Sequence, residues 1–366
     1  MSKVKTPRFH ISKRGIIPRR QTWLIRGAAI VLALILCAII TTMMTGLNPV
    51  KVYTTIFEGN FSTSRRIWVL MQNIAILLAI SLAMAPAYKM RFWNIGGEGQ
   101  VLVGCLATAA CMIVIGDKVP NAVLIIIMLI AAVAAGAVWA FIPAFFKAKF
   151  NTNETLFTLM MNYVGLQLVA YYVIVWEVPK GSGKIGIINQ ATQAGWLPQI
   201  GSYKYLLNIL VVAVITVLMY IYMNYTKQGY EIAVVGESEN TARYVGINVG
   251  KVIMRTLILS GAICGLTGFL LVAGTNHTVT TTLAGGRGFT AVMIAWMGKF
   301  NPVAMIFASF LIAFLEQGAS EISTMYSLNQ SFSDILTGII IFFIIGSEFF
   351  INYKLNFNKT GEKEAQ

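Results

Sequence analysis

Gly27 through Leu47 is a run of 21 residues without a charge. A helix crossing the hydrocarbon core of a bilayer needs about 20 such residues. Comparable runs recur down the chain, at 27–47, 68–88, 97–116, 121–146, 155–178, 205–223, 253–274, 287–298, 302–320 and 333–352. Composition agrees: 57% of the 366 residues are apolar and 11% charged, with a mean hydropathy of +0.72. A soluble domain carries about 25% charged residues, so this chain cannot cover a water-facing surface. That excludes a soluble globular protein and a disordered one. Uninterrupted apolar runs also argue against a membrane β-barrel, whose strands alternate. The expected fold is an all-α polytopic membrane protein of about ten transmembrane segments. The eighth segment is too short to cross alone, so a broken or re-entrant element is expected there, buried in protein or facing a cavity.

Charge sets the expected orientation. Residues 1–26 hold Lys3, Lys5, Arg8, Lys13, Arg14, Arg19, Arg20 and Arg26 and no acid. Basic residues flanking a first span mark the cytoplasmic side and bind lipid headgroups. A nucleic-acid role is not expected, because no basic domain or aromatic interleaving accompanies the tail. The long first run and the lack of an A-x-A-like site read as an uncleaved span. The expected organisation is a cytoplasmic tail (1–26), a membrane domain (27–352) with a cytoplasmic loop (224–252), and a cytoplasmic tail (353–366) carrying Lys354, Lys359 and Lys363.

Several chemistries fail on their residues. Gly181-Ser182-Gly183-Lys184 imitates a phosphate loop, but position 178 is Val and position 185 is Ile, where a Walker A loop needs Gly and Ser or Thr. Only His10 and His277 are present, too few for a histidine metal cluster, and His277 reads as a solvated loop residue. Cys37, Cys105, Cys111 and Cys264 lie in apolar runs and read as small buried hydrophobes. No metal site or catalytic residue is expected.

Polar residues inside apolar runs are costly in lipid and face pathways or bonding partners. They are Asn73, Asn94, Glu98, Gln100, Asn162, Gln167, Arg287, Glu316 and Gln317, with Phe92, Trp93 and Phe289 placed to stack on a ring. As lining of a substrate path the candidates are Asn94, Glu98, Gln100, Asn162, Arg287, Phe289, Glu316 and Gln317. Gly96-Gly97-Glu98-Gly99-Gln100 is echoed 189 residues later by Gly285-Gly286-Arg287-Gly288-Phe289. The charge count places the two on opposite faces, as in an inverted repeat of two five-span halves. In the 224–252 loop, Ser238 or Asn240 can cap a short helix and Gly246 can end it, which suits docking of a soluble subunit.

Four stretches carry a resemblance. Phe92 to Gln100 is similar to an F-N-I-G-x-E-G-Q signature, with Trp93 inserted. Asn153 to Tyr163 is similar to N-E-x-x-x-T-L-M-L-N-Y, with Met161 for Leu. Ser238 to Ile247 is similar to N-x-x-A-A-x-Y-x-G-I, with Ser238 for the leading Asn. Gly286 to Pro302 is similar to G-x-G-F-x-x-I-A-V-A-L-L-G-x-x-N-P. Over roughly 68–345 the chain resembles ABC-transporter permeases for nucleosides and simple sugars, of the branched-chain amino acid/ribose type. The resemblance implies a permease subunit without cofactor of its own. It implies a cytoplasmic ABC ATPase partner that uses ATP and Mg, a second permease or second copy, and an extracellular substrate-binding lipoprotein. ATPase coupling would fall to Glu237, Asn240, Ala242, Arg243, Tyr244 and Gly246, with Ala242, Tyr244 and Val245 entering a cleft. The residues leave open an ion-coupled secondary transporter of a small polar solute, with Glu98, Glu316 and Asp334 as the buried acids.

Overall fold

Short polar side chains set the helix starts in the computed structural model, which describes residues 9–15, 18–46, 48–201 and 203–357. In order the elements are β1 (Phe9–Lys13), α1 (Arg19–Thr45), α2 (Pro49–Phe61), α3 (Ser64–Lys89), α4 (Gly97–Ile115), α5 (Asn121–Phe150), α6 (Glu154–Val175), α7 (Leu206–Tyr225), α8 (Lys227–Glu237), α9 (Glu239–Tyr244), α10 (Val249–Leu271), α11 (Arg287–Met297), α12 (Pro302–Met325), α13 (Gln330–Asn352) and β2 (Tyr353–Phe357). A π-helical turn, Val272–Asn276, extends α10. Asn48, Thr63, Asn153, Thr226, Ser238, Asn248 and Asn329 each accept a backbone N–H from the first turn they precede. Among the described residues nine helices are long and apolar enough to cross a membrane. With one two-stranded ribbon as the only named sheet there, the chain is an all-α polytopic membrane protein.

Two helices fall where connectors were expected. α2 occupies most of the 48–67 stretch, and its signal was in view: Asn48 caps it and Pro49 takes the first turn. α8 fills the start of the 224–252 loop, capped by Thr226. The tails differ too. β1 and β2 pair antiparallel, Phe9 opposite Phe357 and Lys13 opposite Tyr353. Their apolar residues alternate with polar ones, a period of two that the basic residues around it masked. Lys3, Lys5, Arg8, Lys359 and Lys363 lie outside the described residues.

The chain forms two compact units, one from Met1–Ser62 with Phe314–Gln366 and one from Thr63–Ala313. In the first, α1 packs along α13, with Arg26 paired to Glu348. α2 meets the end of α12: Asn60 donates to Ile56 and Phe314 carbonyls, and Gln317 donates to the Gly59 carbonyl. In the second unit α3 is buried continuously from Ile74 to Tyr88, as befits a helix apolar all round. Beside it α4, α5 and α10 pack through bare backbone. A Cβ on Gly104 would stand 2.6 Å from Gly265, and one on Gly136 would stand 2.8 Å from it. Lipid gives helices no hydrophobic reason to associate, so such close approach supplies the van der Waals contact that holds them.

Candidate functional site

The two glycine-rich motifs meet. Lys89 ends α3, and residues 90–96 run without helix to Gly97, where α4 begins. Glu98 stands in the first turn of α4, and both of its oxygens reach α11. Oε1 accepts the Gly286 N–H and Oε2 the Gly288 N–H, each at 2.8 Å. Glu98 thus lies at the positive ends of two helices, its own and α11, and satisfies N–H groups that nothing in α11 can. A side chain at Gly288 would overlap the Glu98 backbone, and one at Gly97 would strike Met84. The motifs need glycine because two helix starts touch there.

The segment leading into α4 is sewn in place. Asn94 accepts the Gly96 N–H at 3.0 Å and a weak contact from Gln100 at 3.5 Å, and donates to Ser260. Asn162 accepts the Gly99 N–H and donates to the Ile95 carbonyl, both at 2.8 Å. Thr158 accepts the Ile95 N–H, and the Tyr88 hydroxyl donates to the Asn94 carbonyl. Asn94, Gln100 and Asn162 are all buried. Their polar groups hold the non-helical backbone that lipid would not tolerate. Phe92 is buried as well and cannot stack on a solute, which corrects its expected role.

Aromatic groups stand on the open side of this junction. Trp93 and Trp296 stack with centroids 5.6 Å apart, and each is 47% exposed. Tyr88 and Phe300 pack edge-on to Trp296. Phe289 is 44% exposed on α11, and Arg287 donates to Asn73 Oδ1 at 3.2 Å. Of the path candidates, Glu98, Arg287 and Phe289 therefore gather at the start of α11. Glu316 and Gln317 belong to the other unit, and Gln167 is exposed on α6. Trp296 was missed, because an apolar run does not say which of its residues faces outward. Asp334 is exposed on α13, so it is not the buried acid it was expected to be.

The 237–247 stretch holds a capped helix. Ser238 Oγ accepts the Thr241 N–H, and the chain leaves α9 through Gly246 at φ +84°. The Ile247 N–H closes the turn on the Ala242 carbonyl. Tyr244 is 92% exposed and Val245 also stands out. Glu237 and Asn240 are exposed, and Arg243 pairs loosely with Glu239 at 3.5 Å. Ala242 is fully buried, in a cluster with Ala87, Phe92, Ile232 and Leu257. It anchors α9 to its own chain and cannot enter a partner's cleft, which corrects that expectation. α8 is fixed by Glu231–Arg255 at 2.6 Å, and Gly236 lies bare against the Lys89 carbonyl. The exposed helix is thereby tied to the end of α3, the point where residues 90–96 begin.

Two further expectations need correction or refinement. His277 is 7% exposed rather than solvated, stacked on Trp196 at 3.8 Å. Burial and the nearby Lys204 charge lower its pKa to about 4. In the Gly181–Lys184 loop the Gly181 and Gly183 N–H groups do hold an anion, but it is the Glu177 carboxylate, which lowers the pKa of Glu177. Among the described residues no three His, Cys, Asp or Glu side chains are placed to hold a metal.

Comparison with known proteins agrees with this geometry. The family described as branched-chain amino acid transport system, permease component, matches residues 64–345. The guanosine ABC transporter permease protein NupP of Bacillus subtilis is 30% identical over 336 residues, 91% of this chain and 95% of that protein. The glucose ABC transporter permease protein TsgB13 of Haloferax volcanii is 29% identical, covering 92% of each chain. The nucleoside ABC transporter permease protein NupB of Lactococcus lactis is 27% identical over 86% of this chain and 88% of its own. A match to the family over most of the chain, with both glycine motifs in contact at Glu98, shows that this protein belongs to the branched-chain amino acid transport system permease family.

Proposed function

We propose that this chain is the membrane-crossing permease subunit of an ABC importer and forms the path for a nucleoside or related simple-sugar compound. The observation that carries the reading is the junction of α4 and α11 at Glu98 in a chain of this family, because helix starts inside a bundle place backbone dipoles and polar groups where a solute passes. Guanosine, nucleoside and glucose permeases among its relatives give the substrate class. Trp93, Trp296 and Phe289 offer the ring faces, and Arg287 the hydrogen-bond donors, that such a solute needs. Glu98, Asn94, Gln100 and Asn162 act differently: they keep the non-helical segment in shape.

ATP and Mg belong to a separate cytoplasmic ATPase, which docks on α9 through Tyr244, Val245 and Arg243. A push on α9 travels through Gly236 to the end of α3 and into residues 90–96, so the two ends of the path change together. A second permease subunit, related or identical, completes the pathway, and an extracellular lipoprotein delivers the solute. Both termini lie in the cytoplasm of a multi-pass plasma-membrane protein, its basic flank on anionic lipid. Ion coupling fits less well, since both Glu98 oxygens are engaged by backbone N–H groups.

The test is uptake of labelled guanosine, uridine and glucose by a strain lacking this chain, with and without its restoration. Uptake should return with the chain and require ATP. Transport that persists in ATP-depleted vesicles under an imposed proton gradient overturns the reading.

A further inference from the structure

At the end of α10 remote from α8, the chain forms a half-open cavity of about 690 Å³, within the range of small-molecule sites. Its walls come from the α4–α5 connection, residues 192–199 and the turn that follows α10. They are rigidly built. The Ile188 N–H binds the His277 carbonyl at 2.8 Å, Leu197 N–H the Ala273 carbonyl at 2.9 Å, and Gly195 N–H the Asn121 side chain at 2.7 Å. Trp196 Nε1 donates to the Ile188 carbonyl at 3.0 Å. A π-helical turn forms one wall, a distortion that is frequent at functional sites. It is pinned by Gln72 and Asn208 on Thr275.

The lining has the chemistry of a particular guest. The His277 ring lines it, nine-tenths buried and stacked on Trp196. Asp117 and Lys204 bring one charge of each sign, and Lys204 together with burial keeps the imidazole neutral. The walls therefore carry no net charge. Thr192 and Gln193 contribute a hydroxyl and an amide to the same lining. An aromatic surface ringed by donors and acceptors without net charge suits a neutral, hydroxylated ring compound.

We infer that this cavity is a second solute site, separate from the α4–α11 junction, which receives a neutral nucleoside or monosaccharide before it enters the path. Only the choice of compounds rests on the function proposed above; the site rests on its own walls. Gln193 and Lys204 are exposed, so their removal leaves the packed walls intact.

The experiment measures binding of guanosine, uridine and glucose to the full chain with its transporter partners in lipid nanodiscs without nucleotide, by calorimetry and saturation-transfer NMR. Saturable binding of at least one compound is expected. Gln193→Ala with Lys204→Ala should weaken it about tenfold or more, the effect of losing hydrogen bonds worth about 1.4 kcal/mol. Absence of saturable binding, or binding unaffected by the Gln193 and Lys204 changes, overturns the inference. Either result can stand beside normal ATP-dependent uptake, so its failure is distinct from failure of the transport reading. Saturable binding with no uptake of any of the three compounds would reject the transport reading instead.

Discussion

Glu98→Gln replaces one carboxylate oxygen by an amide nitrogen and leaves the shape of the side chain almost untouched. The consequences are not small. Glu98 accepts two backbone N–H groups at 2.8 Å, and hydrogen bonds to a charged acceptor contribute about 1.5–3 kcal/mol each. Glutamine can still accept one of them, now as a neutral bond of about 1 kcal/mol. Its NH₂ group faces the other N–H, donor against donor, and that N–H has no partner. The favourable charge at two helix starts disappears as well. The sum is a loss of roughly 3–4 kcal/mol, enough to detach the start of α11 for part of the time. At about 2 °C per kcal/mol the midpoint of unfolding falls by roughly 6–8 °C. Thermal melting of detergent-purified protein reads this, with uptake in cells measured alongside and membrane insertion checked by fractionation. Glu98→Ala should lose as much or more, and Gln100→Ala less, since Gln100 makes one weak contact. A Glu98→Gln protein with the melting point and uptake of the parent refutes the clamp.

Other predictions follow from particular residues. Gly246→Val puts a β-branched side chain at φ +84° and should cost about 1–2 kcal/mol locally; co-purified ATPase and substrate-stimulated ATP hydrolysis should fall while insertion is normal. Tyr244→Ala should do the same to ATPase recovery without lowering the melting point, because the side chain is 92% exposed. Gly265→Leu should abolish stable accumulation, since a side chain there strikes the Ala132 and Gly136 backbones; comparable membrane levels would refute the close packing. Acidification tests His277. Its folded pKa of about 4 lies below its ordinary value of 6.5, so the unfolded chain binds the proton more readily. Stability is full above about pH 6.5 and declines as pH falls toward 4. The loss by pH 5 is about 1 kcal/mol once screening by the open side of the cavity is allowed for. It should vanish in His277→Gln, read as the difference in melting point between pH 7 and pH 5.

Much of this was legible because lipid imposes one rule. Backbone groups must be satisfied internally, so long uncharged runs had to be helices, and the eighth run was too short for anything but a partial one. Gly96–Gly99 and Gly285–Gly288 stood out as interruptions, and they touch. Their polar neighbours were read less well. A lone Asn or Gln in an apolar run can serve the solute or the backbone, and the sequence pattern does not separate the two. Asn94 and Asn162 turn out to serve residues 94–99. Ala242 misled for a related reason: in a helix of six residues there is no periodicity to tell the inner face from the outer. His277 does lie in a loop, but its burial was not legible because its partner, Trp196, lies 81 positions away.

The ribbon of β1 and β2 carries a consequence for counting. Strands that share hydrogen bonds lie in one compartment, and β1 leads into α1 while β2 leaves α13 with no residue between. The start of the first span and the end of the last are therefore on one side of the bilayer, so the number of crossings between them is even. Nine long helices are an odd number. If all nine cross, one shorter element, α2 or α11, has to supply a further passage. A reporter fused just before α1 and one fused just after α13 should therefore give the same signal.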